Sequence, residues 1–249
     1  MTRRLFDRPI AHRGLHDRRA GVIENSRAAF EAAIAEGYGI ECDIQLSQDG
    51  VPFVFHDETL ERLTAASGPA NALPMAALGA LPLGGSATGD TPQPLTDFLA
   101  QVAGRTQLQI ELKPQQGREK TRALAKAVLG ALEGYGGPYT LESLDPTVLM
   151  ALRRARAAAP LGIVTYRFDE PYWDGALPRW KKVVLRHLLH WPWTRFDFIS
   201  CRNVSLYLPA VRFFRARGME VTAWTITSGQ EGRAALRGAD QIVFEGFRP

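Results

Sequence analysis

Lysine is scarce in this chain. Only five of its 30 basic residues are Lys, and the arginines are scattered, with no run of five or more like charges. That pattern excludes the basic arm of a nucleic-acid binder, and no nucleic-acid partner is expected. Cysteine is nearly absent. Cys42 and Cys201 lie far apart, so there is neither a disulfide framework nor a CxxC zinc spacing. No stretch of 18 apolar residues occurs, so no segment is expected to span a membrane. The opening MTRRLFDRPIAHRG lacks the apolar core of a secretory signal. A cytoplasmic location is the expectation. No GxGxxG follows a strand-like run and no GxxxxGK[ST] is present, which argues against a nucleotide-binding loop.

What is present is a chain of 249 residues, 45% of them hydrophobic, with a net charge of +4. The length suits one barrel of about 250 residues, and residues 1–249 are read as one unit. The small positive excess suits an anionic substrate. Short β-prone runs alternate with Ala-, Leu- and Arg-rich helical ones. The strand candidates are PIAHRG (9–14), YGIECDIQL (38–46), VPFVFHD (51–57), LQIELKP (108–114), YTLESL (139–144), LGIVTY (161–166), FDFISC (196–201), EVTAWTI (220–226) and QIVFEG (241–246). Helices are expected at 26–36, 95–103, 118–133, 146–158, 177–190, 207–217 and 229–237. Asn25-Ser26 marks the start of the first, and Asp145-Pro146 opens the fourth with proline in its first turn. Repeated strand–helix alternation implies a parallel sheet. We therefore expect an α/β fold, a (β/α)8 TIM barrel, with a doubly wound open sheet as the alternative. Residues 58–94, rich in Gly, Pro, Ala and Thr, read as a small insertion after the second strand region. An eighth closing helix is expected to be missing, since the last strand candidate runs almost to Pro249.

A strand buried on both faces should be continuously apolar. Four runs break this rule near their C-terminal ends: His12-Arg13, Glu41 with Asp43, His56, and Glu111 with Lys113. Barrel enzymes build their active sites at that end, and unpaired buried charge is costly. Side chains alternate along a strand, so Glu41 and Asp43 share a face while Cys42 points away. Three carboxylates, Glu41, Asp43 and Glu111, form an oxygen cage suited to a hard divalent cation, Ca²⁺ or Mg²⁺, able to clamp a phosphate oxygen. His12 and His56 suit general acid–base work near neutral pH. Arg13 and Lys113 complete an anion site. Each piece alone has a structural explanation, such as an internal salt bridge or a satisfied core histidine; the agreement of four strand ends carries the reading.

In order, HRG (12–14), EN (24–25), ExD (41–43), DG (49–50), HD (56–57) and ELK (111–113) resemble the glycerophosphodiester phosphodiesterase family. The match is dense from residue 9 to about 66 and extends to 114, with SLDP (143–146) and AWTI (223–226) near family positions. The resemblance implies a (β/α)8 barrel that hydrolyses glycerophosphodiesters, small-molecule substrates, to glycerol 3-phosphate and an alcohol. It implies His12 and His56 as the catalytic pair, Glu41, Asp43 and Glu111 as metal ligands, and Arg13 and Lys113 on the phosphate. Asn25 and Trp224 fall at substrate-binding positions, though Asn25 could instead only cap the first helix. Asp57 either orients His56 or begins the insertion. Two departures stand out: Ile23 replaces the usual Pro, and Glu245 stands where Asp is usual, which leaves the last strand without an assigned role. His16 lies outside the motif and reads as a solvated loop residue. A lysophospholipase D-like enzyme acting on lipid at a membrane surface, and a silent phosphate-binding barrel, are the competing readings.

Residues 172–196 hold four of the five tryptophans. Leu177, Trp180, Val184 and Trp191 recur at helical spacing beside a basic stripe of Arg179, Lys182, Arg186 and His190. We read an outer barrel helix with one packed face and one solvated face. The alternative is weak contact of 177–193 with a membrane surface.

Overall fold

The parallel pairing of the first and last strands sets the architecture. In the computed structural model, which describes residues 4–170 and 177–249, β1 (Ile10–Ala11) pairs in parallel with both β2 (Gly39–Leu46) and β9 (Gln241–Phe244). Between these run β4 (Leu108–Leu112), β5 (Tyr139–Ser143), β6 (Leu161–Thr165), β7 (Phe198–Arg202) and β8 (Glu220–Ile226), each parallel to its neighbours. The result is a closed barrel of eight parallel strands, as expected for a (β/α)8 fold. The ninth strand, β3 (Pro52–Val54), returns antiparallel along the end of β2, with Ile44 opposite Val54 and Leu46 opposite Pro52. The tight turn between them has Gly50 at φ 81°, in the left-handed region that glycine enters at no steric cost.

Helices α1 (Arg27–Ala35), α3 (Leu95–Val102), α4 (Arg118–Ala131), α5 (Pro146–Arg154), α8 (Pro209–Arg215) and α9 (Gly229–Ala235) lie between the strands. Outward strand residues such as Ile40, Cys42, Ile110, Leu141, Ile163 and Val221 share one core with Phe30, Phe98, Leu124 and Leu149 of the helices. The inward face is graded. At the bottom, Phe6, Ile10, Phe198 and Val243 form an apolar plug. Gly162 clears space for the Phe198 ring, which a Cβ at that position would strike. Above the plug the interior becomes polar, with Gln109, Glu142 and Ser200, and then charged.

The insertion at 58–94 contains a short α2 (Met75–Leu78) and has an apolar centre of its own, in which Ile23 meets Phe53, Phe55, Leu60, Leu63, Leu78 and Leu83. It returns to the barrel where Val54 N–H donates to Gln93 O at 2.9 Å.

The tryptophan-rich stretch departs from the outer-helix expectation. Its first part, including Trp173, lies outside the described residues. The rest forms α6 (Arg179–Arg186) and α7 (Trp191–Thr194). None of the residues of α6 is fully buried. Leu177, Val184 and Leu185 instead border the cavity at the open end of the barrel, while Trp180 and Trp193 are 64% and 66% exposed. Helical periodicity shows that a helix has an apolar side but not what that side faces. No helix among the described residues is long and apolar enough to cross a membrane.

Candidate active site

The HRG segment leaves β1 in a sharp turn. Arg13 has φ 55° and Gly14 φ 81°. A Cβ on Gly14 would press on the Ala29 backbone at 2.8 Å, so the turn that aims His12 and Arg13 needs glycine there. Asn25, also at φ 55°, donates its backbone N–H to Arg13 O at 2.8 Å and locks the turn from the other side. The α1 cap is Ser26, whose Oγ accepts from Ala29 N–H at 3.1 Å. The side chain of Asn25 is thus free of capping. It donates to Asp43 Oδ2 at 2.9 Å and is itself buried beneath that carboxylate.

Two neighbouring strands carry the carboxylates. One oxygen each from Glu41, Asp43 and Glu111 lies within 4.8 Å of the others. β2 and β4 bring them together, with Asp43 and Glu111 in register. Burial first, and then the charges of Asp43 and Glu111, push the Glu41 carboxyl well above the usual carboxylate range. Asp43 behaves oppositely. Burial would raise it, but Lys113, His56, Arg13 and His12 hold it well below its ordinary value. Lys113 Nζ sits 3.3 Å from Asp43 Oδ1 and 3.2 Å from Glu111 Oε1. Arg13 Nε lies 3.3 Å from Asp43 Oδ2, and Arg13 N–H donates to Glu41 Oε2 at 2.9 Å.

Each histidine has a carboxylate behind it. His12 Nδ1 is 2.6 Å from Glu245 Oε2, and its Nε2 is 3.9 Å from Glu41 Oε2. Burial lowers the His12 pKa and outweighs the opposing pull of Glu245. His56 Nδ1 is 2.7 Å from Asp57 Oδ1, so Asp57 orients that ring. With Nδ1 engaged in both, Nε2 is the nitrogen left for chemistry. His16 is not a solvated loop residue: it is half-buried, with Nε2 3.6 Å from the Glu245 carboxylate that also holds His12.

Arg62, from the insertion, ties these parts together. It donates to both oxygens of Glu24 at 2.7 Å and to Asp57 at 2.5 and 2.8 Å. Glu24 in turn accepts from Arg13 Nη1 at 2.5 Å. A continuous path of charge-assisted hydrogen bonds therefore joins Arg13, Glu24, Arg62, Asp57 and His56.

His12, Arg13, Glu41, His56, Glu111, Lys113 and Trp224 all border one cavity of about 1050 Å³, whereas Asn25 lies beneath its wall. The Trp224 indole N–H donates to Ser200 O at 3.1 Å. Sequence reasoning passed over Glu142, on the cavity floor opposite Glu111 in register. Its carboxyl accepts from Gln109 Nε2 at 2.8 Å and is pushed up to about 8, first by burial and then by Glu111. The signal was available: YTLES sets an acid on the same face and level as Glu111. Arg62 and the linking role of Glu24 were missed too, and no local pattern marks them.

Known proteins share these features to different extents. The chain matches the sequence profile of the Glycerophosphoryl diester phosphodiesterase family over residues 12–243. It is 50% identical over 60 residues to a glycerophosphodiester phosphodiesterase of Caldanaerobacter subterraneus, covering 24% of each protein. It is 46% identical over 61 residues to glycerophosphodiester phosphodiesterase 1 of the rat, covering 24% of this chain and 17% of that protein. The aligned part is thus less than a quarter of those relatives' length. A phosphodiesterase of Oleispira antarctica, solved in complex with the product sn-glycerol-3-phosphate, shares the fold with a TM-score of 0.76 and 22% identity, over 96% of this chain and 93% of that one. The Thermotoga maritima glycerophosphodiester phosphodiesterase aligns with a TM-score of 0.71 and 23% identity, over 96% and 94%.

Proposed function

The chain belongs to the glycerophosphoryl diester phosphodiesterase family, and on that premise we propose that it hydrolyses glycerophosphodiesters to glycerol 3-phosphate and an alcohol. One observation carries the reading. Two carboxylate-backed histidines, His12 and His56, border the same cavity as Glu41 and Glu111, which form an oxygen cluster with Asp43.

The triad fits a hard divalent cation, Ca²⁺ or Mg²⁺. Its donors are all oxygens, and burial together with the charges of Asp43 and Glu111 raises the Glu41 carboxyl, an effect that a cation held there would offset. Glu41, Asp43 and Glu111 would hold the ion, and when bound it would polarise a phosphoryl oxygen as a Lewis acid.

The chain's own groups account for the rest. Arg13 and Lys113 reach the carboxylates from the cavity wall and present fixed positive charge to a phosphodiester anion. One histidine accepts the proton of a glycerol hydroxyl or water at Nε2, and the other donates a proton to the leaving alcohol. Glu245 and Asp57 keep each ring in the tautomer with Nε2 facing the substrate. Asn25 holds Asp43 in place, and Trp224 offers a flat apolar wall for the glycerol carbons. The test is hydrolysis of glycerophosphocholine and glycerophosphoethanolamine, followed by release of glycerol 3-phosphate with Ca²⁺ or Mg²⁺ and with chelator. Turnover that needs the cation supports the reading; no turnover with either cation rejects it.

A second reading, a lipid phosphodiester as substrate, is favoured by the apolar wall that continues the same cavity.

A further inference from the structure

Arg62 stands behind the cavity wall, yet one of its nitrogens joins two groups that are on it. Nη2 donates to Glu24 Oε1 at 2.7 Å and to Asp57 Oδ1 at 2.8 Å. Those two oxygens are also the ones that hold the site. Glu24 Oε1 accepts from Arg13 Nη1 at 2.5 Å, and Asp57 Oδ1 lies 2.7 Å from His56 Nδ1. The other donors of Arg62 close the outer side. Nη1 donates to Glu24 Oε2 at 2.7 Å, and Nε donates to Asp57 Oδ2 at 2.5 Å. One planar guanidinium thus forks onto two carboxylates at once. Each carboxylate shares one oxygen with a group of the active site. Glu24 and Asp57 lie behind the wall with Arg62, while Arg13 and His56 border the cavity.

Apolar packing anchors this clamp. Leu60 and Leu63, on either side of Arg62 in sequence, share a buried cluster with Ile23, the neighbour of Glu24. The geometry also restrains Glu24. With Arg62 on both of its oxygens, Glu24 takes only Nη1 of Arg13. Arg13 Nε lies 3.3 Å from Asp43 Oδ2, and no hydrogen bond among the described residues engages Arg13 Nη2. Without Arg62, Glu24 would be free to grip Arg13 by two nitrogens, the usual fork of a carboxylate on a guanidinium. That grip would draw the charge away from a phosphate oxygen. Asp57 would lose the partner that fixes its plane, and with it the orientation of the His56 ring.

We propose that Arg62 is a positioning residue for the hydrolysis. Acting through Asp57 and Glu24, it sets where the proton-transfer nitrogen of His56 stands relative to the phosphate-binding end of Arg13. The inference rests on the hydrolytic reading above. A phosphodiester held by Arg13 then meets His56 Nε2 in a geometry fixed by one side chain of the insertion, so residues 58–94 supply part of the site. The two arms of the clamp have separable effects. Loss of the Asp57 arm misplaces a proton-transfer group and lowers kcat. Loss of the Glu24 arm lets that carboxylate close on Arg13 and raises KM.

The experiment is steady-state kinetics on glycerophosphocholine with Ca²⁺ or Mg²⁺. It compares wild type, Arg62→Ala, Asp57→Asn, Glu24→Gln, and the two double variants that join Arg62→Ala to each carboxylate change. In Arg62→Ala we expect kcat to fall about 100-fold, the cost of a small misplacement of a reacting group. KM should rise about tenfold, the scale of one hydrogen bond to a charged group. In the Asp57→Asn background the Arg62 change should move kcat by no more than about twofold, while KM still rises. In the Glu24→Gln background it should move KM by no more than about twofold, while kcat still falls. The same cycles are run with Arg62→Lys, which keeps the charge and guards against a variant that merely unfolds. A single ammonium cannot fork onto both carboxylates, so both shifts should persist. Wild-type kcat and KM in Arg62→Ala and Arg62→Lys, with only a lower melting temperature, overturn the inference alone. Losses that multiply equally in both carboxylate backgrounds also overturn it, because Arg62 would then not act through Asp57 and Glu24. Absence of turnover in the wild type overturns the hydrolytic reading and this inference with it.

Discussion

His12 Nδ1 and Glu245 Oε2 lie 2.6 Å apart across the seam where the first and last strands close the barrel. The contact gives the last strand a role. Glu245 accepts from the imidazole, fixes its tautomer, and itself sits well below the usual carboxylate range through its hydrogen bonds with His12 and His16. Replacing Glu245 with Ala should lower kcat about 100-fold, the scale of a mispositioned acid–base group, with little change in KM. Steady-state kinetics on glycerophosphocholine measures this. A purely structural role would leave kcat intact and lower the melting temperature.

The histidines themselves should matter more. His12→Ala and His56→Ala are each expected to reduce turnover about 100-fold or more, with the cation still bound by calorimetry. Near-normal turnover in both would remove the assignment.

The carboxylate triad makes a less usual prediction. Glu41 is a buried acid whose neighbours Asp43 and Glu111 disfavour its charge. Glu41→Gln should leave the cation-free protein as stable as wild type or more so, because it removes that repulsion. The same change should abolish the upward shift in melting temperature expected when Ca²⁺ or Mg²⁺ is added to the wild type. Thermal melts with and without chelator separate this from an internal salt-bridge role, which predicts a loss of stability without cation.

Acid should loosen the link between the insertion and the site. Burial would raise the Glu24 carboxyl, but Arg62 and Arg13 bring it down to about 2 from 4.5. A carboxyl depressed in the folded state stabilises fully above its unfolded value and loses that contribution as pH falls. Roughly 3 kcal/mol should therefore disappear between pH 4.5 and 2. Melting temperature against pH should fall more steeply in this window for wild type than for Glu24→Gln.

The barrel floor offers a packing test. Gly162→Ala would drive a methyl into the Phe198 ring. Overpacking of this kind costs about 1–3 kcal/mol, which denaturant unfolding would register as a lower midpoint at unchanged slope.

The sequence was legible where chemistry and periodicity coincide. All nine strand candidates form, because β-branched runs bounded by Gly and Pro have few alternatives, and the surplus ninth is the β3 hairpin arm signalled by Asp49-Gly50. The charged strand ends were legible because charge in a buried strand needs a reason. His12, Arg13, Glu41, Asp43, His56, Glu111 and Lys113 do converge. What escaped was carried by distance. Arg62 meets Glu24 across 38 residues and His12 meets Glu245 across 233, and no local pattern encodes either meeting. The setting of α6 escaped because an amphipathic helix specifies only that one side is apolar.

Cys42 stands back to back with Glu41 and Asp43 on β2, and Cys201 lies on β7, across the barrel from it. Both thiols are fully covered by the helical layer, and burial keeps them protonated, pushing Cys201 up to about 12. Neither can meet a thiol reagent until a strand parts from its helices. The protein thus contains its own pair of breathing gauges. The rates at which the two react with a thiol reagent in native buffer would time the opening of the carboxylate-bearing wall against the wall facing it, with no cysteine introduced.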